Sequence, residues 1–511
     1  MTDDTAPPAG GTAGGGTAEG AAAAGRAGAT EGTAPATEGT APAGTAAGAN
    51  EGTPPADVVD ATEAAAVGKA PHRPGAWPVL AWGLWDWGGA AFNAVITTFV
   101  FTVYLTSDAF GPGADATLGW ALAAAGVVIA LLAPVSGQRA DRSGRRSRWL
   151  AINTGAVVVV SAAMFFVTPD PGHLWLGLVL LAAGNVFFEL ASVNYNAMLG
   201  EVSTPATVGR VSGLGWGLGY IGGIVLLLLV YLGLIAPDVG VFGITDEDGL
   251  DVRVTMLVCA VWTLVFSLPV LLTARDAPAA GRRPRVGLLA SYRLLLGSIR
   301  ALWRRDHHIV YFLLSSAVFR DGLAGVFTFG GVIAAGTFGF SPGDVIVFGV
   351  AANLVAGVAT IAFGTLDDRL GPKRLIVGSL AAMVLAGTLV FVLHDGGRAV
   401  FWSVGLALCI FVGPAQSASR TFLARLIPEG QEGEVFGLYA TTGRAVSFLA
   451  PASFSLAMTL GLAVTGAAGL EEVQYWGILG IVAVLLVGLL LLLPVRSGLR
   501  RDSAVVTAAA H

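Results

Sequence analysis

Charge is scarce in this sequence. Asp, Glu, Lys and Arg make up 12% of its 511 residues, whereas apolar residues reach 54%; an ordinary soluble domain has about 25% charged residues. So few charges cannot cover that much apolar surface. A soluble globule is excluded, and a mean hydropathy of +0.72 points to an all-α polytopic membrane protein. Cysteine is nearly absent: Cys259 and Cys409 both lie in apolar runs, which leaves no disulfide framework and no Cys-based metal site. No His-Glu-x-x-His or G-x-x-x-x-G-K-[ST] occurs, so an enzyme, a resident metal or cofactor, and ATP-driven pumping by this chain are not expected. Nucleic acid is not an expected partner either.

Residues 1–75 lack any aromatic residue and consist almost wholly of Ala, Gly, Thr, Pro and acids. Such a segment buries too little surface to offset its ordering entropy, so a disordered tail is expected. It holds nine acids and three bases, and the chain's net charge of −5 belongs to it. Its repeated Ala-Thr-Glu-Gly-Thr-Ala-Pro, from Ala29 and again from Ala36, is low complexity. No basic region followed by a short apolar stretch opens the chain, so no cleaved secretory signal is expected.

What the sequence does have is twelve apolar runs, each long enough to cross about 30 Å of hydrocarbon, from Val79 to Leu105 through Tyr475 to Pro494. They divide the chain into a tail (1–75), a six-span half (76–273), a basic linker (274–308), a second six-span half (309–494) and a C-terminal tail (495–511). Of the 29 Lys and Arg, 24 fall on the side of the termini, two (Arg253 and Arg398) on the other side and three within spans. Positive loops resist translocation, so both termini are expected in the cytoplasm, most simply of a bacterial cell membrane. In the linker, Leu288, Tyr292, Leu295, Leu296, Ile299 and Trp303 recur at helical spacing beside Arg293, Arg300, Arg304 and Arg305. This pattern predicts a helix on the inner membrane surface, in contact with lipid.

The segment after the second span reads Gly137-Gln138-Arg139-Ala140-Asp141-Arg142-Ser143-Gly144-Arg145-Arg146. After the eighth comes Gly364-Thr365-Leu366-Asp367-Asp368-Arg369-Leu370-Gly371-Pro372-Lys373-Arg374. Both fit G-x-x-x-D-R-x-G followed by bases, at equivalent places in the two halves. The first glycine of each permits close helix approach and the second a tight turn. The aspartates can bond helix-terminal N–H groups, and the arginines can anchor at headgroups. Asp141, Arg142, Asp368 and Arg369 are therefore candidate gating residues. The sequence here resembles the major facilitator superfamily, whose loop between the second and third helices of each half carries this motif; the first copy departs from the pattern at Arg139.

A narrower resemblance rests on Trp85-Asp86-Trp87-Gly88, on Gly215-Trp216-Gly217-Leu218-Gly219-Tyr220-Ile221-Gly222-Gly223, on Gln416-Ser417-Ala418-Ser419-Arg420, and on Pro428-Glu429-Gly430 with Glu434-Val435-Phe436-Gly437-Leu438-Tyr439. Together these blocks are similar to the vacuole-effluxer-like branch of the superfamily. That resemblance implies a transporter and, from the fungal members, amino-acid export. Gly217, Gly219 and Gly222 spell a dinucleotide fingerprint, but they lie inside an apolar span with no preceding strand. Gly215, Gly219 and Gly223 are instead expected to pack helices. Tyr220 stands where the superfamily's antiporter pattern has proline, so that pattern does not establish antiport.

Six ionisable residues fall within spans: Asp86, Glu189, Arg320, Asp321, Arg420 and Arg444. Each charge costs about 2.5–3.5 kcal/mol at a helix centre, so they must face protein or water. All but Arg444 lie on the first, fourth, seventh and tenth spans, which line the central cavity in the resembled superfamily. Asn93 shares a helical face with Asp86, Asn185 with Glu189, and Gln416 with Arg420. These eight cavity residues are expected to contact a small-molecule solute. Arg444 is assigned to gating or ion pairing, and Arg420 fits ion pairing equally well. Three acids against three arginines suit a zwitterion, with its carboxylate on Arg320 or Arg420 and its ammonium on Asp86 or Glu189. Glu189, then Asp321, are the candidates for coupling to protons. The expectation is secondary transport of a small polar metabolite, with amphipathic drug efflux and a non-transporting receptor or scaffold as the competing readings.

Overall fold

A computed structural model describes residues 75–496 apart from 112, 275, 277–287, 428–429 and 467–472. The two tails, most of the linker ahead of its helix, and the Pro428-Glu429 pair lie outside the described residues. Among the described residues, twelve helices are long and apolar enough to cross a membrane. The first six are Ala76–Leu105, Thr117–Ser143, Arg146–Phe166, Pro171–Ala197, Val208–Ile235 and Glu247–Thr273. The second six are His307–Gly336, Gly343–Leu370, Pro372–Val392, His394–Leu426, Glu432–Thr465 and Gln474–Leu492. We number them as spans one to twelve. Because their number is even, Ala76 and Leu492 lie at the same end of the bundle, called here the basic end for its loop arginines.

The exterior is what lipid requires. Trp120, Leu272, Leu385 and Val464 are each at least 67% exposed, an arrangement that would drive aggregation in water. Several spans are not continuous α-helices. The first runs through a π-helical segment, Ala91–Phe99, before closing with Phe101–Leu105. The tenth carries a shorter one, Phe401–Gly405, ahead of Leu406–Leu426. The eleventh divides into Glu432–Val446 and Leu449–Thr465. Such interruptions leave backbone groups that neighbouring spans must satisfy.

The linker helix spans Leu288–Arg305. Its buried edge comprises Tyr292, Leu295, Ile299 and Leu302, and the Tyr292 hydroxyl donates to the Leu131 carbonyl at 2.7 Å. Leu296 and Trp303, expected on that same edge, remain exposed.

The halves meet most extensively along two span pairs. Span two lies against span eleven, where Ala130, Pro134 and Gly137 approach Thr441, Gly437 and Gly433 in turn. Span five lies against span eight, where Gly209, Gly213 and Gly217 approach Gly364, Thr360 and Gly357. Each contact starts at the basic end and continues inward for about 12 Å at 1.5 Å per helical residue.

Candidate functional site

The two motif copies join the halves at the basic end by one device used twice. The second glycines, Gly144 and Gly371, adopt φ of +63° and +86°, conformations an L side chain would strain, and they turn the chain sharply out of spans two and eight. The aspartates then reach the opposite half. Asp141 accepts the N–H groups of Gly433 (3.0 Å) and Glu434 (2.9 Å), in the first turn of span eleven. Asp368 accepts those of Gly209 (2.7 Å) and Arg210 (3.1 Å), in the first turn of span five. Neither helix receives a side-chain cap from its own N-terminal residue, Gln431 or Thr207. An aspartate from the other half therefore satisfies the orphan amides and complements the helix dipole.

Close approach depends on the first glycines. A Cβ on Gly137 would collide with the Gly433 carbonyl, and one on Gly364 would stand 2.9 Å from the Gly209 carbonyl. The cations that complete each latch differ from those expected. Arg146 bonds Asp141 (2.8 Å) and bridges to Glu201 and Glu432. Arg210 and Arg425 pair with Asp368 at 3.2 and 3.3 Å. Arg142 and Arg369, assigned to gating from the motif, form no ion pair among the described residues. Position within the motif does not fix which guanidinium can reach across a boundary between halves.

Deeper in, Asp86 and Arg420 face each other across the halves, with Arg420 Nη1 3.4 Å from Asp86 Oδ2. Tyr195 donates its hydroxyl to the same oxygen at 2.8 Å. Arg420 also donates to Asn196 Oδ1, to the Ser212 hydroxyl and to the Ser212 carbonyl, and it lies over the Trp82 ring at 4.9 Å. It is 3% exposed, so its charge is almost wholly held by protein. Glu189 and Arg444 form a second cross-half pair at 3.2 Å, and both remain partly exposed.

Arg320 has no carboxylate partner among the described residues. It donates through Nη1 to the Tyr439 carbonyl, and its guanidinium lies 3.8 Å from the centre of the Tyr439 ring. Asn93 is exposed, Asn185 bonds back to Leu181 of its own helix, and Gln416 is half-buried; the structure joins none of these three to a span-embedded charge.

Asp321, expected in the central cavity, is placed elsewhere. It is buried and accepts the Ala450 N–H at 2.6 Å, so it satisfies backbone freed by the break in span eleven. Adjacent Arg320 and Asp321 project about 100° apart, and helical period alone could not say which faced the boundary between halves.

The glycines of span five serve two faces. Gly215, Gly219 and Gly223 lie against span one, where a Cβ on Gly215 would stand 2.7 Å from Asp86 Oδ2. Gly213 and Gly217 face span eight, a role the sequence reading did not assign. The signal was the second i, i+4 register in the same glycine run. Among the described residues, no group of three or more His, Cys, Asp or Glu side chains is placed to hold a metal ion.

Twelve spans in two six-span halves, latched at one end around charged residues, define an integral membrane transporter of the major facilitator superfamily. Known proteins agree. The family described as Major Facilitator Superfamily matches residues 35–227, and the one described as Vacuole effluxer Atg22 like matches residues 201–496. The latter covers more than half of the sequence, and the chain belongs to that family. The MFS-type transporter YxiO of Bacillus subtilis (strain 168) is 25% identical over 72% of this chain and 86% of its own length. Autophagy-related protein 22-1 of Neosartorya fischeri is 25% identical over 49% of this chain, a match that spans 44% of the fungal protein.

Among solved structures, a proton:xylose symporter superposes with a TM-score of 0.61 at 14% identity, over 80% of this chain and 94% of its own. The human organic anion transporter MFSD10 gives 0.61 at 16%, over 83% and 100%. At such identities the likeness is one of fold.

Proposed function

We propose that the chain is a secondary transporter that moves a small polar metabolite out of the cell by alternating access, with its basic end in the cytoplasm of a bacterial plasma membrane. The observation that carries this reading is the pair of latches. Each is a few hydrogen bonds and ion pairs between halves, held by no covalent link, and both lie at one end. Releasing them would let the halves rock about the charged centre. Outward movement is favoured by membership of a family described as vacuole effluxers, and amino acids are the first solutes to test. In this reading the Asp86–Arg420 pair forms the floor of the solute chamber, and Glu189, reachable by solvent beside Arg444, exchanges a proton during the cycle.

Solute counterflow in proteoliposomes tests it. Purified protein is expected to exchange at least one amino acid or related metabolite, and Glu189→Gln is expected to keep exchange while losing accumulation driven by a pH gradient. Absence of exchange for every solute, in protein verified as folded, contradicts transport. Gradient-driven accumulation that survives in Glu189→Gln removes that residue from coupling.

A further inference from the structure

The span-embedded charges do not balance once their partners are known. Asp86 is matched by Arg420 and Glu189 by Arg444, while Asp321 is turned away to the Ala450 amide. Arg320 is left as the one cation of this set without an acid. The cost of a charge held between spans is several kcal/mol, so a lone guanidinium there is an incomplete arrangement.

The way it is held leaves one edge open. Its Nη1 is taken by the Tyr439 carbonyl and its face by the Tyr439 ring, whose hydroxyl shares a hydrogen bond with Ser419 Oγ at 2.7 Å. One turn further along span eleven, Gly443 leaves room: a Cβ there would stand 3.3 Å from Arg320 Nη1. The Nε and Nη2 donors have no partner among the described residues. They form the planar two-donor edge that fits a carboxylate in bidentate fashion. The next residue of span eleven is Arg444, which meets Glu189.

We propose that Arg320 is the anchor for the carboxylate of the transported solute, and that the solute is recognised as an organic monoanion with no requirement for an amino group. This rests on the transport reading and narrows its substrate class. Both carboxylates that could meet an ammonium are already balanced by arginines, so the centre holds no unmatched acid for an ammonium to neutralise. A single carboxylate brings the centre to neutrality.

The test uses the purified full-length protein in detergent and a matched panel: alanine, leucine and phenylalanine, their 2-hydroxy acids, and the corresponding amino-acid amides. Binding is read as stabilisation against thermal unfolding, independently of transport. For at least one side chain, the amino acid and the 2-hydroxy acid are expected to bind within about threefold of each other and the amide at least about tenfold more weakly, the loss of a charge-assisted pair. Arg320→Gln is expected to abolish the preference for acid over amide, and Arg320→Lys to retain part of it.

Amides that bind as well as acids, acids that bind only with an amino group, or a panel in which no acid stabilises the protein would each overturn the proposal. So would an acid preference that survives in Arg320→Gln. If that variant fails to fold, the wild-type ranking of acid, hydroxy acid and amide decides alone. Acid-selective binding without counterflow would uphold the anion site and refute transport, whereas counterflow that ignores the carboxylate would do the reverse.

Discussion

Asp368 accepts the backbone N–H of Gly209 at 2.7 Å across the boundary between the two six-span halves. The contact has a pseudo-symmetric counterpart in Asp141 and Gly433, and in each case a helix without a cap of its own borrows one from the other half. Charge-assisted hydrogen bonds of this kind contribute about 1.5–3 kcal/mol each when intact. In the proposed alternating-access cycle, two such latches would hold the closed state while leaving it able to open.

Asp368→Asn and Asp141→Asn each replace an anion by a neutral amide at a helix N-terminus. Each is expected to weaken the closed basic end by about 2 kcal/mol, a shift of about thirtyfold in the open-to-closed ratio. Ser417 is buried beside Ser212 between the halves, so the alkylation rate of Ser417→Cys in a Cys409→Ala background reports the opening. An unchanged rate in both variants would show that the latches do not hold this end.

Gly137→Ala is expected to force spans two and eleven apart, because the new Cβ meets rigid backbone at Gly433. Gly155 lies in the neighbouring third span with no atom within 4 Å of an added Cβ, so Gly155→Ala is the matched control. Alkylation at the same buried cysteine should rise sharply in the first variant and stay at the wild-type rate in the second.

Arg420→Gln removes one partner of a buried pair and leaves Asp86 facing an unfilled site. Truncation of this kind costs about 3–5 kcal/mol. A lowered unfolding temperature in detergent is expected, with part of the loss recovered in the Asp86→Asn/Arg420→Gln double variant. Strict additivity of the two substitutions would contradict a direct interaction.

Asp321→Ala strips the acceptor from the Ala450 amide and is expected to destabilise the chain by about 1–3 kcal/mol. The rank order of exchanged solutes should not change. A reordered solute preference would return Asp321 to the chamber.

Much of this architecture was legible because its signals are local. Twelve apolar runs and the paired motif around Asp141 and Asp368 announce two equivalent halves, and the second glycines, Gly144 and Gly371, sit at positive φ as a tight turn requires. Long-range partners were not legible. Nothing near Asp141 indicates that its ligands are the Gly433 and Glu434 amides, or that Arg146 in place of Arg142 completes the latch. Asp321 was assigned by its span to the cavity, yet a break in another helix, at Ser447, claimed its carboxylate. Helical period places Gly213 and Gly215 on different faces, but only the packed bundle shows that one meets span eight and the other span one.

The central claim is that the two halves rock between a state closed at the basic end and one closed at the other. Its most direct test is a pair of spin-label distances in the reconstituted protein: Arg145→Cys with Arg369→Cys at the basic end, and Asp170→Cys with Asp395→Cys at the opposite end, all four sites being exposed and the native cysteines buried. The account predicts two populations at each end, with a transported solute or Asp368→Asn shifting them in opposite senses, so that one end lengthens as the other shortens. A single fixed distance at both ends, or changes of the same sign, would contradict it.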